Sequence, residues 1–160
     1  MDGENRTGSE RQAVKGLRVG VVDNLPIVRA GVSYILSVSG VVQKSIECAT
    51  AADALRLAQD GSIDIILIDP FTLPGGAQNI PPLGRFPGAQ LMIISTVSDA
   101  NSVGFALRNG ARAYILKTVS PGELVRAVGE VARGHSYVTP SLTAQLFANI
   151  QSVSGQEAVA

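Results

Sequence analysis

The sequence predicts an α/β fold built on a doubly wound parallel sheet, and three observations carry that expectation. Short apolar runs of strand length recur at Leu17–Val22, Val41–Cys48, Ile63–Ile68, Gln90–Ile94 and Ala113–Leu116. Each is followed by a segment of longer periodicity, the alternation of strand and crossover helix that gives a parallel sheet. The runs also lack polar alternation, which marks strands buried on both faces. The expectation is a five-stranded sheet with helices on both sides.

The helices between the runs have readable edges. Pro26 suits a first helical turn, Ala51–Ala58 is rich in good helix formers, and Asn109-Gly110 closes a helix over Asn101–Arg108. Ser120 stands three residues before Glu123, as in a capping box, and opens a helix running to Arg133. Residues 70–89 contain five prolines, so any helix there is expected to be short and late, at Leu83–Phe86.

Composition sets the outer bounds. A chain of 160 residues with 46% hydrophobic and 16% charged residues is that of one folded domain. Thirteen Lys+Arg balance thirteen Asp+Glu, so the basic footprint of a nucleic-acid or anionic-membrane binder is missing. Cys48 and His135 are the only residues of their types. That excludes an intramolecular disulfide, a Cys/His zinc cage and any triad not built around His135. Residues 1–15 are polar and aperiodic and read as a flexible leader without a signal core; a cytoplasmic location is expected. Residues 16–138 form the expected domain, and residues 139–160 a linker-like helix and tail.

In open parallel sheets chemistry collects beyond the carboxyl ends of the strands. Those ends carry Asp23-Asn24, Asp69, Ser95-Thr96 and Lys117. Each has a local reading: Asp23 as a helix cap, Asp69 as a turn opener, Ser95 as a loop-backbone partner, Lys117 as a solvated cation. Together they make a set that can accept a phosphoryl group. A carboxylate attacks, a divalent cation on acidic oxygens offsets charge, and the lysine and hydroxyl stabilise the remaining oxygens.

On these residues the sequence resembles the receiver domain of two-component response regulators, of the NarL/FixJ (LuxR) type, over about residues 17–138. The resemblance rests on VVDNLPIVRAGV, DIILIDPFTLPGG, the Ser95-containing IISTVSD, and GARAYILK followed by SPGELVRAVGEVARG. It implies a flavodoxin-like sheet of order 2-1-3-4-5 with Asp69 as phosphoacceptor. It also implies that Ser95 and Lys117 contact the phosphoryl group and that Ser95 and Tyr114 act as the switch. Magnesium would be held by Asp23, Asn24, Asp69 and the backbone carbonyl of Phe71. The implied partners are a sensor histidine kinase or phosphotransfer protein, and a downstream protein or second copy at the face of the fourth helix, fifth strand and fifth helix.

Three departures from the family pattern stand out. The usual pair of adjacent acids is Asp23-Asn24 here, so the metal site drops from three carboxylates to two and magnesium affinity is expected to weaken. Asp69 is followed by Pro70 and Phe71, and proline removes a backbone N–H from the loop. Residues 139–160 hold no basic recognition helix, only Leu142, Leu146, Phe147 and Ile150 at helical spacing. No DNA or membrane binding is expected of this chain alone.

Other residues read more locally. Tyr114 fits a buried aromatic with a satisfied hydroxyl as well as a switch, and Cys48 fits a small core residue. His135 fits a surface turn. Gly104 inside Asn101–Arg108 costs that helix about 1 kcal/mol relative to Ala, marking either a labile helix or a close contact. The competing readings are a receiver that works without phosphate as a protein-binding module, supported by Asn24, and an aspartate-nucleophile phosphatase. The phosphatase needs an acid two residues after the nucleophile, where this chain has Phe71, so the chain is not expected to be an enzyme beyond phosphorylating itself.

Overall fold

The structure is a computed structural model and describes residues 16–84 and 88–157; the leader expected over 1–15 lies outside the described residues. The order is β1 (Arg18–Val22), α1 (Pro26–Val38), β2 (Lys44–Cys48), α2 (Ala51–Gln59), β3 (Ile65–Ile68), two 3₁₀ turns (Pro70–Thr72 and Gly76–Asn79) and α3 (Ile80–Gly84). Then come β4 (Gln90–Ser95), α4 (Ala100–Arg108), β5 (Ala111–Leu116), α5 (Pro121–Ala132), β6 (Tyr137–Val138) and α6 (Pro140–Glu157). All the paired strands are parallel, in the order β2-β1-β3-β4-β5-β6. The first five follow the expected 2-1-3-4-5 order, and β6 is an addition that the sequence did not signal, because two residues are too few to show a period.

The sheet is covered on both sides, as the unbroken apolar runs of β1, β3 and β4 require; β2 departs from the expectation as a polar edge strand, with Lys44 and Glu47 exposed and only Cys48 buried. One core cluster joins α2, α4 and the start of α6 to one face through Ala54, Val103 and Leu142. The other joins α1 and α5 to the opposite face through Leu36, Leu124 and Val128. Every residue of β3 is buried. Gly20 in β1 is set by close approach: a Cβ there would lie 2.9 Å from Ile63 Cδ1.

The segment after β3 corrects the late-helix expectation. Helix starts at Ile80, with Pro81 and Pro82 in its opening turn, where a missing N–H costs nothing. Residues 85–87 of the expected Leu83–Phe86 helix lie outside the described residues. Gly110 closes α4 as expected, at φ +100°. The capping box at α5 is half formed: Ser120 accepts from the Glu123 amide at 3.2 Å, whereas the Glu123 carboxylate turns to accept the Tyr137 hydroxyl at 2.9 Å. Cys48 is buried, and burial pushes its thiol up to about 11. His135 is exposed and pairs with Glu130 at 2.7 Å.

Candidate functional site

Strand register assembles the site. Val22 of β1 stands opposite Ile68 of β3, so the next residue of each strand, Asp23 and Asp69, leaves the sheet side by side. Ser95 pairs with Leu116, which places Lys117 one step beyond the same edge. The Lys117 amide then donates to the Ser95 carbonyl at 2.9 Å, fixing the start of the β5–α5 loop.

The two carboxylates are wired alike. Asp23 Oδ1 accepts the Leu25 amide at 2.8 Å, and Asp69 Oδ1 accepts the Phe71 amide at 3.0 Å. Asp69 thus opens its turn as the local reading expected, whereas Asp23 braces the turn ahead of α1 and does not cap that helix, whose N-cap is Leu25 without a side-chain bond. The free oxygens converge: Lys117 Nζ lies 2.7 Å from Asp23 Oδ2 and 2.7 Å from Asp69 Oδ2. Both aspartates are about 1% exposed, so one ammonium partly balances two buried charges, the pairing that buried ions demand. Burial of that ammonium pulls its pKa down, the bonds to Asp23 and Asp69 push it up, and the balance lies above the ordinary lysine value. The solvated reading of Lys117 is thus replaced by a buried ion triad.

Ser95 is fully buried, and its Oγ accepts the Val97 amide at 2.9 Å. Tyr114 is also fully buried, with its hydroxyl donating to the Val97 carbonyl at 2.6 Å. Val97 therefore ties both groups to the β4–α4 loop. Burial pushes the Tyr114 phenol up to about 12, with Asp69 and Asp99 adding and the Ser95 hydroxyl opposing. The ring lies inside, in the satisfied-hydroxyl arrangement.

Asn24 is the exposed member of the set. Its backbone amide donates to Thr72 Oγ1 at 3.2 Å, while the Thr72 hydroxyl donates to the Asp69 carbonyl at 3.1 Å. Thr72 thus fastens the β1 loop to the β3 loop. Pro70 is buried at the first position of the 3₁₀ turn, where no N–H is called for, so it shapes the loop without leaving a gap in its hydrogen bonding. Arg29, one turn into α1, donates to the Asp23 carbonyl at 2.7 Å. Sequence reasoning missed Thr72 and Arg29. Arg29 had one usable signal, its six-residue spacing from Asp23 across a proline-started helix; Thr72 had none.

The oxygen donors that the resemblance implies for a cation are the Asp23 and Asp69 carboxylates, here engaged by the Leu25 and Phe71 amides and by Lys117, together with the Asn24 amide and the Phe71 carbonyl. Oxygen donors suit magnesium, which prefers charged ones. No cluster of three acidic, His or Cys ligands occurs among the described residues. The residues fit a magnesium ion, with one carboxylate fewer than the family pattern supplies.

A parallel sheet in this order, with two aspartates, a lysine and a serine gathered on its carboxyl edge, is a flavodoxin-like fold with a polar pocket at its strand ends. Residues 19–129 match the family described as "Response regulator receiver domain", and the chain belongs to that family. It is 27% identical over 146 residues to the oxygen regulatory protein NreC of Staphylococcus carnosus, across 89% of this chain and 67% of that protein. The chain therefore spans about two thirds of the length of that curated relative. Among solved structures, a LuxR-family two-component response regulator from Aurantimonas sp. SI85-9A1 superimposes with a TM-score of 0.74 at 27% identity, covering 84% of this chain and 97% of that one. The signal receiver domain of a response regulator named NarL from Mycobacterium tuberculosis gives a TM-score of 0.65 at 32% identity, covering 75% and 98%. Among the described residues no helix is long and apolar enough to cross a membrane.

Proposed function

We propose that this receiver domain takes a phosphoryl group on Asp69 from a histidine kinase or phosphotransfer protein and uses it to switch a protein-binding surface. The observation that carries the reading is the convergence of Asp23 Oδ2 and Asp69 Oδ2 on Lys117 Nζ. In the transfer, a carboxylate oxygen of Asp69 attacks phosphorus as the bond from phosphorus to the donor breaks. Lys117 then shifts its contact from Asp69 to the phosphoryl oxygens while keeping Asp23, which holds the ammonium in place. Ser95 contacts a second oxygen. When bound at Asp23, Asn24, Asp69 and the Phe71 carbonyl, magnesium supplies positive charge to the transferring group. Ser95 and Tyr114 share Val97, so a pull on the serine is felt at the tyrosine and at the α4–β5–α5 face. A cytoplasmic location goes with this reading, as does a receiver domain of 16–138 followed by a linker-like helix and tail. The chain acts on itself and on no other substrate, and binds no DNA alone.

The test is intact mass after incubation with a small phosphodonor and magnesium. Wild type should gain one phosphate and Asp69→Asn none; a wild type that gains nothing overturns the reading. A second reading, a protein-binding module independent of phosphate, is favoured by the exposed amide at Asn24 and by the Lys117 bridge, which partly balances the acids without a metal. Under that reading partner binding is the same in wild type and Asp69→Asn.

A further inference from the structure

The α4–β5–α5 face is covered by the chain's own C-terminal segment, and the contacts fall on all three of its elements. Tyr137 reaches α5 through Glu123 at 2.9 Å. On β5, the Thr139 amide donates to the Tyr114 carbonyl at 3.1 Å, and Thr139 Oγ1 accepts the Leu116 amide at 3.2 Å. On the α4 side, Leu142 is buried and Leu146 packs on the same core cluster as Val103 and Ala106. β6 contributes two residues of pairing, Ala113 to Tyr137 and Tyr114 to Val138.

Tyr114 occupies both ends of this arrangement. Its hydroxyl is held by the Val97 carbonyl behind Ser95, and its own carbonyl receives the Thr139 amide. Leu116, whose amide is held by the Thr139 hydroxyl, directly precedes Lys117. Ser95, Tyr114 and Lys117 thus stand within one residue or one hydrogen-bonded neighbour of the backbone groups that hold the C-terminal segment. That segment is held by a two-residue strand, three side-chain or backbone bonds and the packing of Tyr137, Val138, Leu142 and Leu146, and from Phe147 to Ser152 the helix is exposed on every side. Few contacts of this kind make a unit that opens well below the stability of the core.

We infer that residues 137–146 form a clasp on the α4–β5–α5 face, gripped through the Tyr114 backbone, and that rearrangement at Ser95 and Tyr114 is read out as release of the clasp. Release bares the β5 edge together with the Leu142/Leu146 side of α6. The inference rests on the reading above for what triggers release, but not for the existence of the clasp.

Hydrogen exchange by mass spectrometry on the full 160-residue chain separates the two. Thr139→Val opens the clasp directly and sets the signal: exchange over 137–146 should rise about tenfold while α1 stays protected. Tyr114→Phe, which cuts the bond to Val97, should raise exchange over the same residues and leave α1 unchanged. Phosphorylated wild type, confirmed by mass, should do the same. The clasp as a readout is overturned if Tyr114→Phe leaves 137–146 as protected as wild type, or loosens the whole chain evenly. It is also overturned if confirmed phosphate leaves 137–146 unmoved, a result that would spare the receiver reading. Failure to take phosphate, with Tyr114→Phe still releasing 137–146, would sink the phosphoacceptor and keep the clasp.

Discussion

Lys117 holds two buried carboxylates that would otherwise repel across the strand ends, and the balance of the pocket depends on it. Removing one partner of a buried ion group leaves uncompensated charge and costs about 3–5 kcal/mol. Lys117→Met is therefore expected to lower unfolding stability at neutral pH by about that amount, measured by urea titration. The same residue sets an alkaline limit. Its pKa and that of Tyr114 are both raised in the fold, so above about pH 10 the unfolded chain binds fewer protons than the native one. Stability is then flat with respect to these two groups at neutral pH and falls as pH climbs past about 10, with Tyr114 alone contributing about 2–3 kcal/mol by pH 12. A urea series between pH 8 and 12 checks the sign, and stability that rises over that range contradicts it. Asp23, Asp69, Ser95 and Lys117 were legible because each stands at the end of an apolar strand. Thr72 and Thr139 were not, because their work is to bond backbone groups that only the folded chain brings near.

At the scale of elements, α4 carries an internal glycine that nothing crowds. A Cβ at Gly104 would meet only the end of Arg108, Nη1 at 3.0 Å, a group that swings aside. Close packing is thus not what the glycine serves. Gly104→Ala should stabilise the chain by about 0.5–1 kcal/mol, seen as a higher midpoint in thermal unfolding; a lower midpoint would show that the position needs its space. β1, β3 and β4 were readable from their unbroken apolar runs, α2 from its helix-forming residues, and α1, α4 and α5 from proline, glycine and capping positions, whereas β2 is a polar edge strand. What escaped was structure fixed by other elements. β6 is a strand only because β5 has a free edge, and Glu123 leaves its cap because Tyr137 offers a hydroxyl.

At the scale of the whole molecule, the fold is the device that makes a site from distant residues. Asp23 and Lys117 are 94 positions apart and meet because strand order and register bring the ends of β1, β3 and β5 to one edge. The same sheet carries the proposed switch outward, from Ser95 through Tyr114 to the segment that crosses α5, β5 and α4. The one feature at odds with an efficient phosphoacceptor is Asn24, which leaves two carboxylates for magnesium. The most direct measurement is the initial rate of phosphate uptake, followed by intact mass over a magnesium series, for wild type and Asn24→Asp. The account predicts one phosphate on each, lost when Asp69 is also changed to Asn, with wild type needing at least about tenfold more magnesium to reach half its maximal rate. Uptake by Asn24→Asp alone, with wild type inert at every magnesium concentration, would contradict it and leave a receiver that works only by binding.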